Sequence, residues 1–106
     1  MLYVDPDGCL SQQSHKHRSE HWVVVKGEAT VVNGGQEFKL QSNESTYIHT
    51  GAKNQLRNDR KEELEIIEVQ TGSYFGEDDI IRYDDLYGRI KLYPTGIIFN
   101  KQALIV

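Results

Sequence analysis

The chain has 106 residues, with 12 Lys and Arg against 16 Asp and Glu, and 38% of it is hydrophobic. That length sets one domain with a modest core, and the interspersed charges, net −4, leave no basic stripe for a nucleic-acid backbone. No run approaches the ~18 apolar residues of a membrane span, Met1-Leu2-Tyr3-Val4-Asp5 lacks the regions of a signal peptide, and the lone Cys9 excludes an internal disulfide, so a cytoplasmic protein without nucleic-acid or membrane partners is expected.

Asp5-Pro6-Asp7-Gly8 reads as a tight turn, Pro presetting φ and Gly accepting a positive φ. Next comes His15-Lys16-His17-Arg18-Ser19-Glu20-His21-Trp22, which holds three of the four histidines within eight residues. Residues 22–25 are aromatic and β-branched, hence a strand ended by Gly27. Residues 28–32 and 36–40 are two further strands around Asn33-Gly34-Gly35, where Asn-Gly is a strong hairpin signal. A polar loop separates them from short strands at 46–49 and 54–57. Residues 58–63 are charged and turn-like, and 64–70 form the clearest long strand. Residues 72–89 read as a loop or short turns rich in acids, including Glu77-Asp78-Asp79. Residues 90–106 carry apolar patches suited to one or two edge strands or a tail. Short strands with frequent turns and no long amphipathic helix predict an all-β sandwich or barrel.

The histidine segment concentrates the chemistry. In a strand, residues two apart share a face, so His15 and His17 are predicted to project together, as two ligands of one metal ion would. Imidazole and carboxylate suit Zn, Fe, Mn, Ni or Co without selecting among them. Glu20 is an odd step from His17 and joins that face only through a bulge or bend near Arg18-Ser19. His21 keeps the parity and is the rival third ligand. Paired histidines also occur as ordinary solvated residues at a strand edge.

Gly8, His15-x-His17, Glu20, then six residues and Gly27, resemble the first motif of the cupin superfamily. Residues 43–58 fit the frame of the second. The likeness is closer still to the cupin domain of type II mannose-6-phosphate isomerases, which in many bacteria is the C-terminal part of a bifunctional mannose-1-phosphate guanylyltransferase/mannose-6-phosphate isomerase. Residues 17–25, 43–48, 64–82 and 87–89 carry it, so it spans about 8–89 of a single domain 1–106 and leaves 90–106 unassigned. The resemblance implies a cupin-like double-stranded β-helix (jelly-roll barrel), here shortened at its N-terminus. It also implies interconversion of mannose 6-phosphate and fructose 6-phosphate for nucleotide-sugar and polysaccharide synthesis.

On that reading His15, His17, Glu20 and Asn54 hold a divalent metal, and Glu20 or His21 is the catalytic base. Arg18, Lys53, Arg82 and Arg89 bind the phosphate of a small phosphosugar, Arg57 matching no family residue. Three departures stand out: Asn54 replaces the family's ligand histidine, Gln55 its basic neighbour, and His49 the usual proline. They keep a second reading open, a non-catalytic sugar-phosphate-binding or dimerisation module with a degenerate site and no metal. A homodimer is expected because a shortened sandwich exposes a sheet edge, which the apolar tail can cover by crossing to a neighbour.

Overall fold

The computed structural model describes residues 1–76 and 78–83, together with the backbone of Ile90–Leu92, Ile97–Asn100 and Ala103–Ile105. Among these residues there are twelve strands and no helix, hence no helix long and apolar enough to cross a membrane. In chain order they are β1 (Leu2–Val4), β2 (Gln13–Ser14), β3 (Arg18–Lys26), β4 (Ala29–Asn33), β5 (Gln36–Leu40) and β6 (Ser45–Ile48), then β7 (Asn54–Arg57), β8 (Leu64–Gly72), β9 (Ile81–Arg82), β10 (Ile90–Leu92), β11 (Ile97–Asn100) and β12 (Ala103–Ile105).

Two sheets face each other. In the first, β8 pairs antiparallel with β3 along one edge, and β3 with β6. Along its other edge β8 pairs with β1 through Leu64–Ile66 and with β12 through residues 69–71, and these are flanked by β10 and β11. The second sheet runs β5-β4-β7-β2-β9. The last segment thus adds three strands to the chain's own sheet. A loop or short turns were expected for 72–89; the described part of that segment bends at Ser73, closes a turn with Asp79 N on Gly76 O at 3.1 Å and leads into β9.

Local chemistry accounts for the turns. Asn33 pairs with Gln36, so the hairpin loop is Gly34-Gly35, with φ of 59° and 88°, the two left-handed positions of a tight β-turn. In the first turn the Gly8 amide closes on Asp5 O at 2.8 Å, but Asp7, at φ 61°, takes the left-handed position expected of the glycine. Asp tolerates that conformation at little cost.

The core lies at one end of the sandwich. Trp22 and Val24 of β3, Leu64 and Ile66 of β8, Leu2 and Val4 of β1, and Ile48 of β6 meet Ala29 and Val31 of β4, Leu40 of β5 and Leu56 of β7. Strand alternation delivers each of these side chains inward. The same alternation carries polar residues inward at the other end. The next inward positions of β3 are Glu20 and Arg18, and those of β8 are Glu68 and Gln70, all buried. Because the two strands are antiparallel with Glu20 opposite Gln70 and Trp22 opposite Glu68, the polar groups gather at one pole.

Candidate functional site

The site begins at a bend. β2 ends at Ser14, Lys16 and His17 form a bend, and β3 starts at Arg18. The strand parity assumed from His15 to His17 therefore fails: His15 is buried, whereas His17 is exposed and meets Tyr74 edge-on. The bend lies one or two residues earlier than the position at which it would have placed Glu20 with both histidines. It aligns Glu20 with His15 instead, bringing His15 Nε2 to 3.5 Å from Glu20 Oε1. His15 Nδ1 is hydrogen-bonded to the main-chain carbonyl of Asp79. A carbonyl only accepts, so Nδ1 carries a proton and Nε2 is the nitrogen turned toward Glu20.

Around Glu20 the buried groups form one network. The Gln70 side-chain amide donates to Glu20 Oε2 at 3.2 Å and to Glu68 Oε1 at 2.6 Å, and Trp22 Nε1 donates to Glu68 Oε2 at 3.1 Å. Burial, and then the negative charge of Glu20 beside it, push the Glu68 carboxyl well above the usual glutamate range. Burial also opposes ionisation of Glu20, but its contacts with His15 and Glu68 and the positive charge of Arg18 outweigh that and pull it lower. The two shifts run in opposite directions, as expected for adjacent buried carboxyls that resist being charged together.

Glu20 Oε1 is buried without a hydrogen-bond partner, and so is Asn54 Oδ1 on β7. Asn54 is fully buried on β7 and pairs with Gln13, itself buried and two residues before His15. Buried polar atoms left unpaired cost free energy that a ligand can recover. The spacing suits a cation: nitrogen and oxygen ligands held tetrahedrally at about 2.0–2.1 Å stand roughly 3.4 Å apart, against 3.5 Å between His15 Nε2 and Glu20 Oε1. Among the described residues no three His, Cys, Asp or Glu side chains form a group that could hold a metal ion. The donor set on hand is one imidazole, one carboxylate and amide oxygen, which fits a divalent cation less tightly than a set with two imidazoles.

The other residues singled out by sequence are dispersed. His21 lies on the outward face of β3, stacked on Tyr47 with ring centroids 4.0 Å apart, and does not reach Glu20's side of the sheet. Arg18 is buried and its Nη1 donates to Phe75 O at 3.0 Å, so it ties the 72–81 strap to β3. Lys53 is exposed, its Nζ 4.4 Å over the Tyr83 ring, and Arg82 is exposed on β9, where it pairs with Gln13. Arg89 and Glu77 lie outside the described residues. His49 is exposed, and Arg57 is held by Glu37 and Asp59, both at 3.0 Å. A surface cavity of about 320 Å³ opens beside the bend between Lys16, His17, Tyr74 and Ile81. A larger cleft of about 630 Å³ lies by Gly27, where Glu28 is already met by Gln41, Arg60 and Lys39.

Sequence reasoning missed Glu68, Gln70 and Gln13. The first two were visible in principle: they stand in phase with Leu64 and Ile66, two polar residues on the inward face of a core strand. Gln13 had no such signal, because its strand has only two residues.

A family model described as the C-terminal domain of mannose-6-phosphate isomerase matches residues 1–85. The alginate biosynthesis protein AlgA of Pseudomonas syringae pv. tomato is 52% identical over 96 residues, 91% of this chain and 20% of that protein. A mannose-1-phosphate guanylyltransferase of Klebsiella pneumoniae is 50% identical over 88 residues, 83% of this chain and 19% of its own length. The chain thus spans about a fifth of the relatives it matches. A crystal structure of a Klebsiella pneumoniae protein with a double-stranded β-helix domain superposes with a TM-score of 0.67 at 19% identity, covering 76% of this chain and 66% of that one. The fold is accordingly the cupin double-stranded β-helix.

Proposed function

The chain belongs to the family of mannose-6-phosphate isomerase C-terminal domains, and from that premise we propose that its polar pole interconverts mannose 6-phosphate and fructose 6-phosphate. The observation that carries this reading is the buried Glu20 carboxylate, tied through Gln70 to Glu68, with His15 Nε2 3.5 Å from Glu20 Oε1. An aldose–ketose shift moves a proton between adjacent carbons, and so needs a base at carbon and an acid or cation at the carbonyl oxygen.

His15, Glu20 and Asn54 are the residues that would hold a divalent cation. When bound, it supplies charge stabilisation at the sugar's carbonyl oxygen. Glu20 is the base that accepts the proton from one carbon and returns it to the next, with Gln70 donating to its Oε2 at 3.2 Å. Glu68 keeps its proton in the pair with Glu20, and Gln70 holds both carboxyls in place. Trp22 and the core behind it keep water from that side. Lys53, exposed just before β7, and Arg82, exposed on β9, are the cations for the phosphate, together with Arg89. The reaction would serve nucleotide-sugar and polysaccharide synthesis in the cytoplasm, with a second copy of this chain as partner.

A coupled assay on mannose 6-phosphate with added divalent cation tests the proposal: turnover abolished by Glu20→Gln is the expected result, and none above that variant rejects it. Asn54 favours one second reading. With amide oxygen in place of imidazole the pole holds a cation weakly, and a module that binds the phosphosugar without converting it would show saturable binding and no turnover.

A further inference from the structure

We propose that Asp79 is the positioning residue of this site, setting the tautomer of His15 and the bend that separates it from β3. The proposal rests on the reading of His15 as the imidazole that faces a cation. Asp79 reaches the bend twice. Its carboxylate accepts the main-chain N–H of Lys16 and of His17, each at 2.9 Å, while its own carbonyl accepts from His15 Nδ1. The bend leaves those two consecutive amides without ladder partners, and a carboxylate with two oxygens satisfies both.

The carbonyl does different work. It obliges Nδ1 to be the protonated nitrogen, which leaves Nε2 as the one that faces Glu20 at 3.5 Å. Outer partners of this kind orient ligating imidazoles and raise their basicity. Asp79 is only 6% exposed, and the strap that carries it is fastened at further points: Ser73 N to His17 O at 3.1 Å and Arg18 Nη1 to Phe75 O at 3.0 Å. Asp78, the neighbouring acid, is exposed and bonds the Tyr74 hydroxyl instead, so adjacent carboxylates have separate roles.

Long-range proton–nitrogen NMR correlation on the metal-free chain reads the tautomer directly, and cobalt titration reads the consequence. The wild type is expected to show His15 protonated at Nδ1, and Asp78→Asn to match it. Asp79→Asn retains one acceptor but turns an N–H₂ toward the second amide. It is expected to give mixed His15 tautomers and roughly 10–100-fold weaker cobalt binding. Asp79→Ala is expected to go further; where it does not fold, the asparagine variant carries the test. A folded Asp79→Asn protein with the wild-type tautomer overturns the proposal, whatever its cobalt affinity. A tautomer released in Asp79→Asn while even the wild type binds no cobalt upholds the positioning role and rejects the cation reading.

Discussion

Substituting Gly72 by alanine tests how tightly the strap is seated against the bend. Gly72 faces Arg18 across the β3–β8 ladder. A Cβ there stands 2.2 Å from His17 O and 2.7 Å from Arg18 Cα. Ordinary contact begins near 3.4 Å, so the rung must open by more than an ångström. Both obstacles are main chain and cannot rotate away, as a side-chain tip would. Overpacking commonly costs about 1–3 kcal/mol, and a backbone obstacle puts this case at the upper end. For a domain of about 100 residues, ~3 kcal/mol corresponds to a fall in Tm of roughly 12–24 °C. The displaced carbonyl is also the acceptor of Ser73 N at 3.1 Å, so the strap loosens and cation affinity falls with stability. Thermal denaturation followed by circular dichroism, with cobalt titration alongside, measures both. A Tm within about 3 °C of wild type would refute the packing argument.

Three further outcomes follow from buried groups. The folded chain holds a proton on Glu68 that the unfolded chain releases at the ordinary glutamate pKa. That contribution to stability is complete below the ordinary value and is lost as pH rises toward the higher folded one. Glu68→Gln removes this decline and gains stability over wild type as pH rises, so urea titrations at about pH 5 and pH 8 should diverge between the two proteins, and parallel profiles would contradict the assignment. Asn54→His restores an imidazole at a fully buried position and should tighten zinc or cobalt binding by about tenfold or more, near 1.4 kcal/mol; unchanged affinity by calorimetry would remove Asn54 from the site. Asn58 is fully buried and donates to Val4 O at 3.0 Å and Glu62 O at 2.7 Å, so Asn58→Ala should cost about 2–4 kcal/mol in chemical denaturation, and a loss below ~1 kcal/mol would show those carbonyls to be satisfied otherwise.

What the sequence made legible divides along physical lines. The long or regularly alternating strands were readable: residues 54–57 coincide with β7, 36–40 with β5, and 64–70 fall within β8. β1 and β2 were not, because segments of three and two residues are strands only by virtue of their neighbours. The strand expected from residue 22 begins already at Arg18, inside the His-rich segment, whose parity depends on a bend that Asp79 holds from more than 60 positions away. No local pattern encodes such a contact. His21 shares the parity of the exposed His17 and faces outward, whereas the bend brings His15 into phase with Glu20. Glu68 was passed over as one charge among several in a strand whose apolar residues drew attention, although its phase with Leu64 and Ile66 marked it as inward-facing.

The claim that the polar pole holds a divalent cation is tested most directly by anomalous diffraction from crystals of the chain equilibrated with cobalt. The account predicts a peak at about 2.0–2.2 Å from His15 Nε2 and from Glu20 Oε1, absent in His15→Ala. A peak at the exposed His17 or His49 alone, or none near Glu20, would contradict it.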